Sequence, residues 1–211
     1  MKTLLVNGSL HTKGSTYTAL KLVADSLEEE GIEAEIYQLP HKPVLGCAGC
    51  YKCMNTGENR CVVKGDAVNE IIEKMESSDA LVLGSPVYYA SPSGQILSVL
   101  DRVFFAGRAI FPGKPAAAIC VARRAGTTAT LSVLQKYFTI CGMPIAPSTY
   151  WAMAHGMSGE EVMRDPEGVQ IMQMTGKTIA WLLKCIEAGK SQGIIYPNPP
   201  GGEKISTNFI R

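Results

Sequence analysis

The sequence predicts a doubly wound α/β domain in which helices cover both faces of a five-stranded parallel sheet. Compact apolar runs alternate with amphipathic helical patterns along the 211 residues. Continuous apolar runs are typical of strands buried on both faces, and their alternation with helices is typical of parallel sheets. The length suits a single domain with a substantial core. We expect this domain to span residues 1–188, with a cysteine-rich loop at 45–65 and an irregular Pro- and Gly-rich tail over 189–211.

The strands are assigned from two patterns. Four short apolar runs read as buried strands, and one segment alternates polar and apolar residues, the other pattern of a strand. In chain order the predicted strands are residues 3–6, 33–39, 80–84, 116–122 and 143–151.

The helices are assigned from apolar residues at three- and four-residue spacing and from end signals. In the first helix the apolar stripe stops at Gly31, a common helix-ending residue. Asp66 suits the N-cap of the second helix, and Pro166 suits the first turn of the last one. The predicted helices are residues 15–31, 66–78, 93–105, 128–142 and 166–190.

Charge and hydropathy argue against several classes of protein. Lys and Arg number 20 and Asp and Glu 19, so there is no electrostatic case for nucleic acid or an anionic membrane as partner. The apolar run near the N-terminus is too short for a signal peptide, and no run approaches the ~18 apolar residues of a membrane span. We therefore expect a cytoplasmic protein.

The loop after the first strand, residues 7–16, has the features of a phosphate site. Gly8 and Gly14 allow a tight turn, and the amides that open the following helix favour an anion. The spacing matches neither a nucleotide-triphosphatase loop, in which a lysine directly precedes a single Ser or Thr, nor a dinucleotide fold; here no lysine directly precedes the Ser-Thr pair. A monophosphate therefore fits best, and a capped helix without a ligand is the alternative. Hydroxyls come from Ser9, Ser15 and Thr16.

Two later loops are expected at the same edge of the sheet, because they follow the third and fourth strands. In residues 84–94 a stiff turn with two tyrosines suits a planar ring. In residues 122–128 two arginines and exposed amides suit the carbonyl edge of such a ring in a reduced, anionic form. Each loop alone also fits ordinary packing or a solvated turn, but three such loops at one edge favour a site.

Four of the seven cysteines are clustered at residues 47, 50, 53 and 61. Three cysteines at three-residue steps and a fourth further along match the ligation of a cubane cluster, and nearby glycines allow the backbone to wrap it. Structural zinc and free or oxidised thiols are the alternatives. We therefore predict a 4Fe–4S cluster on Cys47, Cys50, Cys53 and Cys61. The remaining cysteines, Cys120, Cys141 and Cys185, lie in apolar patterns and are predicted in the core.

Residues 8–16, 84–102 and 122–145, together with the cysteine run, resemble the signature stretches of the NADPH-dependent FMN reductase family, and most closely its iron–sulfur flavoprotein branch. The resemblance covers roughly residues 1–185 and implies a flavodoxin-like fold, FMN as cofactor and a homodimer or homotetramer. It implies that the FMN phosphate is held by Ser9, His11, Ser15, Thr16 and Tyr17. It implies that the isoalloxazine is bordered by Pro86, Val87, Tyr88, Tyr89, Ala122, Arg123, Arg124, Gly126 and Thr127.

The function expected from these features is an FMN-dependent oxidoreductase that passes electrons between a two-electron donor such as NAD(P)H and one-electron carriers. No catalytic side chain is predicted, and Asp101-Arg102 is interpreted as a structural pair at a helix end. Two rival functions are an NAD(P)H:FMN or quinone reductase without a cluster, and a flavodoxin-like carrier without enzyme activity.

Overall fold

The computed structural model describes residues 1–199 and 205–207, and its centre is one twisted sheet. Five parallel strands run in the order β2-β1-β3-β5-β6, which is the order of flavodoxin-like sheets. The strands are β1 (Lys2–Asn7), β2 (Glu33–Gln38), β3 (Ala80–Tyr88), β4 (Ser91–Pro92), β5 (Ala116–Ala122) and β6 (Met153–His155).

The sheet has six strands rather than the five predicted. The additional strand, β4, has two residues and pairs antiparallel with the end of β3. Tyr89 and Ala90 connect the two strands with φ values of 51° and 57°. Positive φ at both central residues is the geometry of a two-residue hairpin turn, which normally favours Gly or Asn, so the sequence carried no signal for it.

The last strand begins later than predicted. The segment predicted as residues 143–151 contains Pro144 and Pro147, which have no N–H to donate. Only its first part follows the sheet: Ala116 N donates to Pro144 O at 2.8 Å, and Ala146 N donates back to Ala116 O at 2.8 Å. The chain then leaves the sheet and returns as β6.

All five predicted helices are present, with two short ones added. Asp66 caps α3 by accepting from Val68 N at 3.2 Å, and Pro166 lies in the first turn of α7, as predicted. The helices are α1 (Ser15–Glu29), α2 (Lys52–Thr56), α3 (Ala67–Glu76), α4 (Gly94–Ala106), α5 (Thr127–Ile140), α6 (Gly159–Val162) and α7 (Pro166–Ser191), with a 3₁₀ turn at Arg108–Ile110.

The helices form a layer on each face of the sheet, as predicted. Leu4 and Val6 of β1 pack in a core with α3, α4 and α5. Leu5, between them, packs with α1 and α7 on the other face. Alternate residues of a strand point to opposite faces, so one buried strand supplies both cores.

The end of the chain is only partly described. Helix α7 ends at Ser191, and no helix or strand is assigned over 192–199 or 205–207. The irregular tail predicted over 189–211 also includes residues 200–204 and 208–211, which lie outside the described residues, so the domain boundary stays a prediction. Among the helices described, none combines the length and apolar character needed to cross a membrane.

Candidate functional site

A cleft of about 700 Å³ opens at the carboxyl edge of the sheet. Its walls are the carboxyl-terminal ends of β3 and β5 and the segments that follow β1, β5 and β6, joined by His41 from the loop after β2. Pro86, Val87 and Tyr88, which were predicted in a loop after the third strand, lie in β3 itself. The order of the strands reverses beside β1, and ligands of doubly wound folds bind at such a switch point. The volume is within the range of small-molecule sites, about 300–1,000 Å³.

Eight of the fourteen residues predicted to bind the cofactor line this cleft: Ser9, His11, Ser15, Pro86, Val87, Tyr88, Ala122 and Arg123. The other six stand behind or beside its wall. Thr16 and Thr127 are buried, whereas Tyr89 and Arg124 are exposed. Tyr17 and Gly126 are half-buried.

Side chains of the first two strands fix the start of the phosphate loop. Asn7 Oδ1 accepts from Ser9 N at 3.1 Å, while Asn7 Nδ2 donates to Gln38 Oε1 at 2.7 Å. Gly8 N donates to Gly84 O at 2.7 Å, and a Cβ on Gly8 would lie 2.7 Å from that same oxygen. Glycine is therefore needed at position 8 because the loop passes directly over the backbone of β3.

The start of α1 fits an anion. Gly14 is the N-cap and provides no side-chain hydrogen bond, and the first turn contains no acidic residue. The first amides of the helix thus keep their donors and their partial positive charge for a ligand. Thr16 Oγ1, in the same turn, is buried without a hydrogen-bond partner.

Contacts between the loops after β1, β3 and β5 build the side of the cleft where a planar ring is expected. Ser93, the N-cap of α4, donates through Oγ to Gly8 O at 2.8 Å and accepts from Ile96 N at 3.3 Å. Gly126 has a φ of 90°, and a Cβ there would lie 2.7 Å from Ala90 Cα. Gly126 therefore allows the loop after β5 to pack against the β3–β4 turn.

The sequence interpretation missed one wall of the cleft. Residues 156–160, after β6, line it, as do Lys13 and His41. The wall was missed because the last strand was placed too early, so these residues were not recognised as a loop at the carboxyl edge. Lys13 was passed over because it does not directly precede the Ser-Thr pair. His155 lies next to this wall, and its backbone N donates to Asp165 Oδ2 at 2.8 Å.

The four clustered cysteines line a second, smaller pocket of about 30 Å³ together with Arg102. Burial raises the pKa of the Cys53 thiol, and the charges of the other three thiols raise it further. Positive φ at Gly49, Tyr51 and Gly57 turns the backbone around them. In residues 1–199 and 205–207, no three His, Cys, Asp or Glu side chains form a group ready to hold a metal ion. Four thiols around one pocket are the donor set of an iron–sulfur cluster, but the pocket has room for little more than one water, so the loop has to open to admit a cluster.

The other three cysteines differ in burial, which corrects the prediction that all lie in the core. Cys120 is buried on β5, where desolvation raises the pKa of its thiol to about 12. Cys141 is half-buried, and Cys185 is exposed on the outer side of α7. An exposed thiol was not expected because the stretch before it is largely apolar, although Lys184 directly precedes Cys185.

Asp101 and Arg102 do not form the structural pair that was predicted. Asp101 accepts from the Tyr137 hydroxyl at 2.6 Å. Arg102 is only 2% exposed and lies in the cysteine pocket. Asp101 and Arg102 therefore contact different parts of the protein.

Helix α4 contacts the surroundings of both sites. Near its start, Gln95 Nε2 donates to Lys42 O at 2.7 Å and to Pro40 O at 3.3 Å, on either side of His41 in the cleft wall. Seven positions later, Arg102 lies in the cysteine pocket. Seven residues of helix span about 10 Å, so the cleft and the cysteine pocket are neighbours.

Comparison with known proteins agrees with this geometry. The family model of NADPH-dependent FMN reductase matches residues 1–158. An iron–sulfur flavoprotein of Methanocaldococcus jannaschii is 29% identical over 197 residues, covering 89% of this chain and 100% of the relative. An iron–sulfur flavoprotein of Methanosarcina thermophila is 25% identical over 179 residues, covering 82% of this chain and 91% of the relative.

Solved structures confirm the fold. RosB, solved with bound 8-demethyl-8-formylriboflavin-5′-phosphate, superposes with a TM-score of 0.70 at 16% identity, covering 100% of this chain and 92% of RosB. A flavodoxin from the Archaea gives a TM-score of 0.60 at 14% identity, covering 87% of this chain and 99% of the flavodoxin. With the family model matching most of its length, the chain belongs to the NADPH-dependent FMN reductase family and is a flavin oxidoreductase.

Proposed function

We propose that this flavin oxidoreductase passes electrons between a two-electron donor such as NAD(P)H and one-electron carriers, using FMN in the cleft and a 4Fe–4S cluster on Cys47, Cys50, Cys53 and Cys61. The observation that carries the proposal is the shared edge of the two sites: His41 lines the cleft, and Cys47 enters the cysteine pocket six residues later. The relatives named above are iron–sulfur flavoproteins, which supports the pairing of the two cofactors.

In the proposed FMN site, the loop after β1 holds the phosphate. The candidate donors are the free amides at the start of α1 and the hydroxyls of Ser9, Ser15 and Thr16, with His11 and Tyr17 beside them. Lys13 in the same wall adds positive charge for the phosphate.

The ring of FMN is proposed to lie between residues 86–89 and 122–127. Pro86, Val87 and Tyr88 give an apolar and aromatic wall, and Arg123, after the neighbouring strand β5, adds positive charge to the same cleft. Positive charge and backbone donors near the carbonyl edge stabilise the negative charge that a reduced flavin acquires. Bound FMN supplies two-electron acceptance and one-electron release, so no side chain need act as acid or base.

In the proposed cluster site, the four thiols share one pocket with a buried guanidinium. An iron–sulfur cluster bound there supplies one-electron transfer. The pocket is largely apolar, with Val62, Val63 and Phe105 in its wall. Cys47 and Cys50 are nevertheless exposed, so solvent reaches the site, and solvent exposure is one of the factors that set the reduction potential of a cluster.

Quantifying iron, acid-labile sulfide and FMN on one anaerobic preparation tests both cofactors. We expect about four iron, four sulfide and one FMN per chain. Cys53→Ala should lose the iron and keep the FMN, while Cys185→Ala, the same change at an exposed thiol outside the pocket, should keep both. FMN without iron and sulfide would leave a reductase without a cluster. Zinc in place of iron would contradict the redox role of the cysteines.

The electron donor is tested by stopped-flow mixing with NADPH and with NADH. We expect the flavin absorbance to bleach with at least one of them, followed by oxidation on addition of a one-electron acceptor. A flavin that neither nucleotide reduces would favour the carrier function. Light scattering tests the proposed homodimer or homotetramer, which is supported by the family resemblance.

A further inference from the structure

Every N–H of the Arg102 guanidinium donates a hydrogen bond, either to the cysteine loop or to Asp66, the N-cap of α3. Nε donates to Cys61 Sγ at 3.3 Å. Nη1 donates to Leu45 O at 3.2 Å and to Asp66 Oδ2, and Nη2 donates to Val63 O at 3.0 Å and to Asp66 Oδ1 at 3.4 Å. A guanidinium has five N–H donors in a fixed plane, and all five have partners here.

These partners lie on both sides of the cysteine run. Leu45 precedes Cys47 by two residues, and Val63 follows Cys61 by two residues. A single buried group therefore ties together the two ends of the segment that contains all four thiols. Closing a flexible loop costs conformational entropy, and hydrogen bonds at both of its ends offset that cost before any cluster binds.

The charge at Arg102 is balanced locally. Asp66 is its carboxylate partner, and the side chains are 2% and 15% exposed for Arg102 and Asp66. Because Asp66 satisfies the Nη groups, the Nε–H remains directed at the sulfur of Cys61. Hydrogen bonds to the sulfurs of an iron–sulfur cluster stabilise its more negative, reduced form and so raise its reduction potential.

We propose that Arg102 is a positioning residue of the cysteine site: it holds the two ends of the cysteine loop together, and its bond to Cys61 raises the reduction potential of the cluster. The inference rests on the proposed function, since it requires a cluster on the four cysteines. It gives helix α4 a role in the cysteine site, although α4 contains none of the four cysteines.

Arg102→Lys is the main test, because lysine keeps the charge but cannot reach five acceptors at once. Arg60→Lys is the matched control: Arg60 is the neighbour of Cys61, and within the described part of the chain its side chain bonds Glu76 and the carbonyl of Asn59 and no cysteine. The cluster potential is measured by EPR-monitored titration, with the FMN potential of the same sample as an internal reference. Hydrogen exchange of the amides of residues 47–61 in the cluster-free protein measures the order of the loop.

We expect Arg102→Lys to shift the one-electron equilibrium of the cluster about tenfold toward the oxidised form, equivalent to about 59 mV, and to speed exchange in the loop. Arg60→Lys should change neither, and the FMN potential should stay constant in both variants. A fully loaded Arg102→Lys with wild-type potential and exchange would overturn the inference while leaving the proposed function intact. Wild-type protein without iron would overturn both.

Two further variants cover a failure of Arg102→Lys to fold. Arg102→Gln removes the buried charge and should show the same direction of shift. Asp66→Asn keeps an oxygen for the cap of α3 but weakens the hydrogen bonds to the Arg102 guanidinium. The amide hydrogens of the cysteine loop should therefore exchange faster. Wild-type exchange in Asp66→Asn would overturn the positioning role.

Discussion

Gly126→Ala should destabilise the protein and weaken FMN binding through a contact that lies outside the cleft wall. A residue with a side chain pays roughly 1 kcal/mol to adopt the left-handed φ of 90° found there. The added Cβ would also lie 2.7 Å from Ala90 Cα and 3.0 Å from Val87 Cγ1. Because the first of these neighbours is backbone, relief requires movement of the β3–β4 turn, at a further cost of about 1–3 kcal/mol.

Gly31→Ala separates the two contributions. Gly31 has a similar φ of 79°, but a Cβ there meets nothing within 4 Å. Only the conformational cost of roughly 1 kcal/mol should remain. In urea unfolding of the FMN-free proteins, the free energy of unfolding of Gly126→Ala should therefore be lower than that of Gly31→Ala by about 1–3 kcal/mol. Titration by flavin fluorescence should show weaker FMN binding in Gly126→Ala alone. Equal losses of stability in the two variants would refute the reasoning.

Three other predictions follow from single contacts. Ser93→Ala removes the cap of α4 and the bond to Gly8 O, so it should cost about 1–2 kcal/mol in urea unfolding, and wild-type stability would contradict it. Hydrogen bonds from Lys2 and Lys74 lower the pKa of the Glu35 carboxyl. The stability that ionised Glu35 contributes to the fold should therefore be lost as pH falls below the ordinary carboxyl pKa of 4.5. Glu35→Gln should flatten the acid side of a curve of Tm against pH. In native protein, iodoacetamide should label Cys185 and spare Cys120, as checked by mass spectrometry; rapid labelling of Cys120 would contradict its burial.

The sequence predicted those parts of the fold that depend on local pattern. Strands β1, β3 and β5 are continuous apolar runs, and the cap at Asp66 and the first-turn proline at Pro166 lie where expected. The last strand was misplaced because its pairing depends on long-range contacts with β5, while the preceding apolar segment carries two prolines. A turn was predicted within residues 84–94, but strand β4 and the position of the turn at Tyr89 and Ala90 were missed, because these are not residues that normally favour positive φ.

For the site, the sequence identified loops better than individual contacts. Ser9 and Arg123 line the cleft because they directly follow strands. Gly126 and Thr16 lie behind the wall, since the path of each loop depends on packing against other loops. Arg102 was misinterpreted because its partners are 36 to 57 residues away in the chain. No local spacing records such a contact.

Helix α4 also constrains how the chain can vary in length. Gln95 and Arg102 are seven residues apart, close to two full turns, so both side chains lie on one face of the helix. One residue inserted between them would rotate Arg102 by about 100° relative to Gln95 and move it by ~1.5 Å. The loops around the two sites can therefore accept insertions more readily than this interval can. The length of a helix, rather than any single side chain, sets the distance between the cleft and the cysteine pocket.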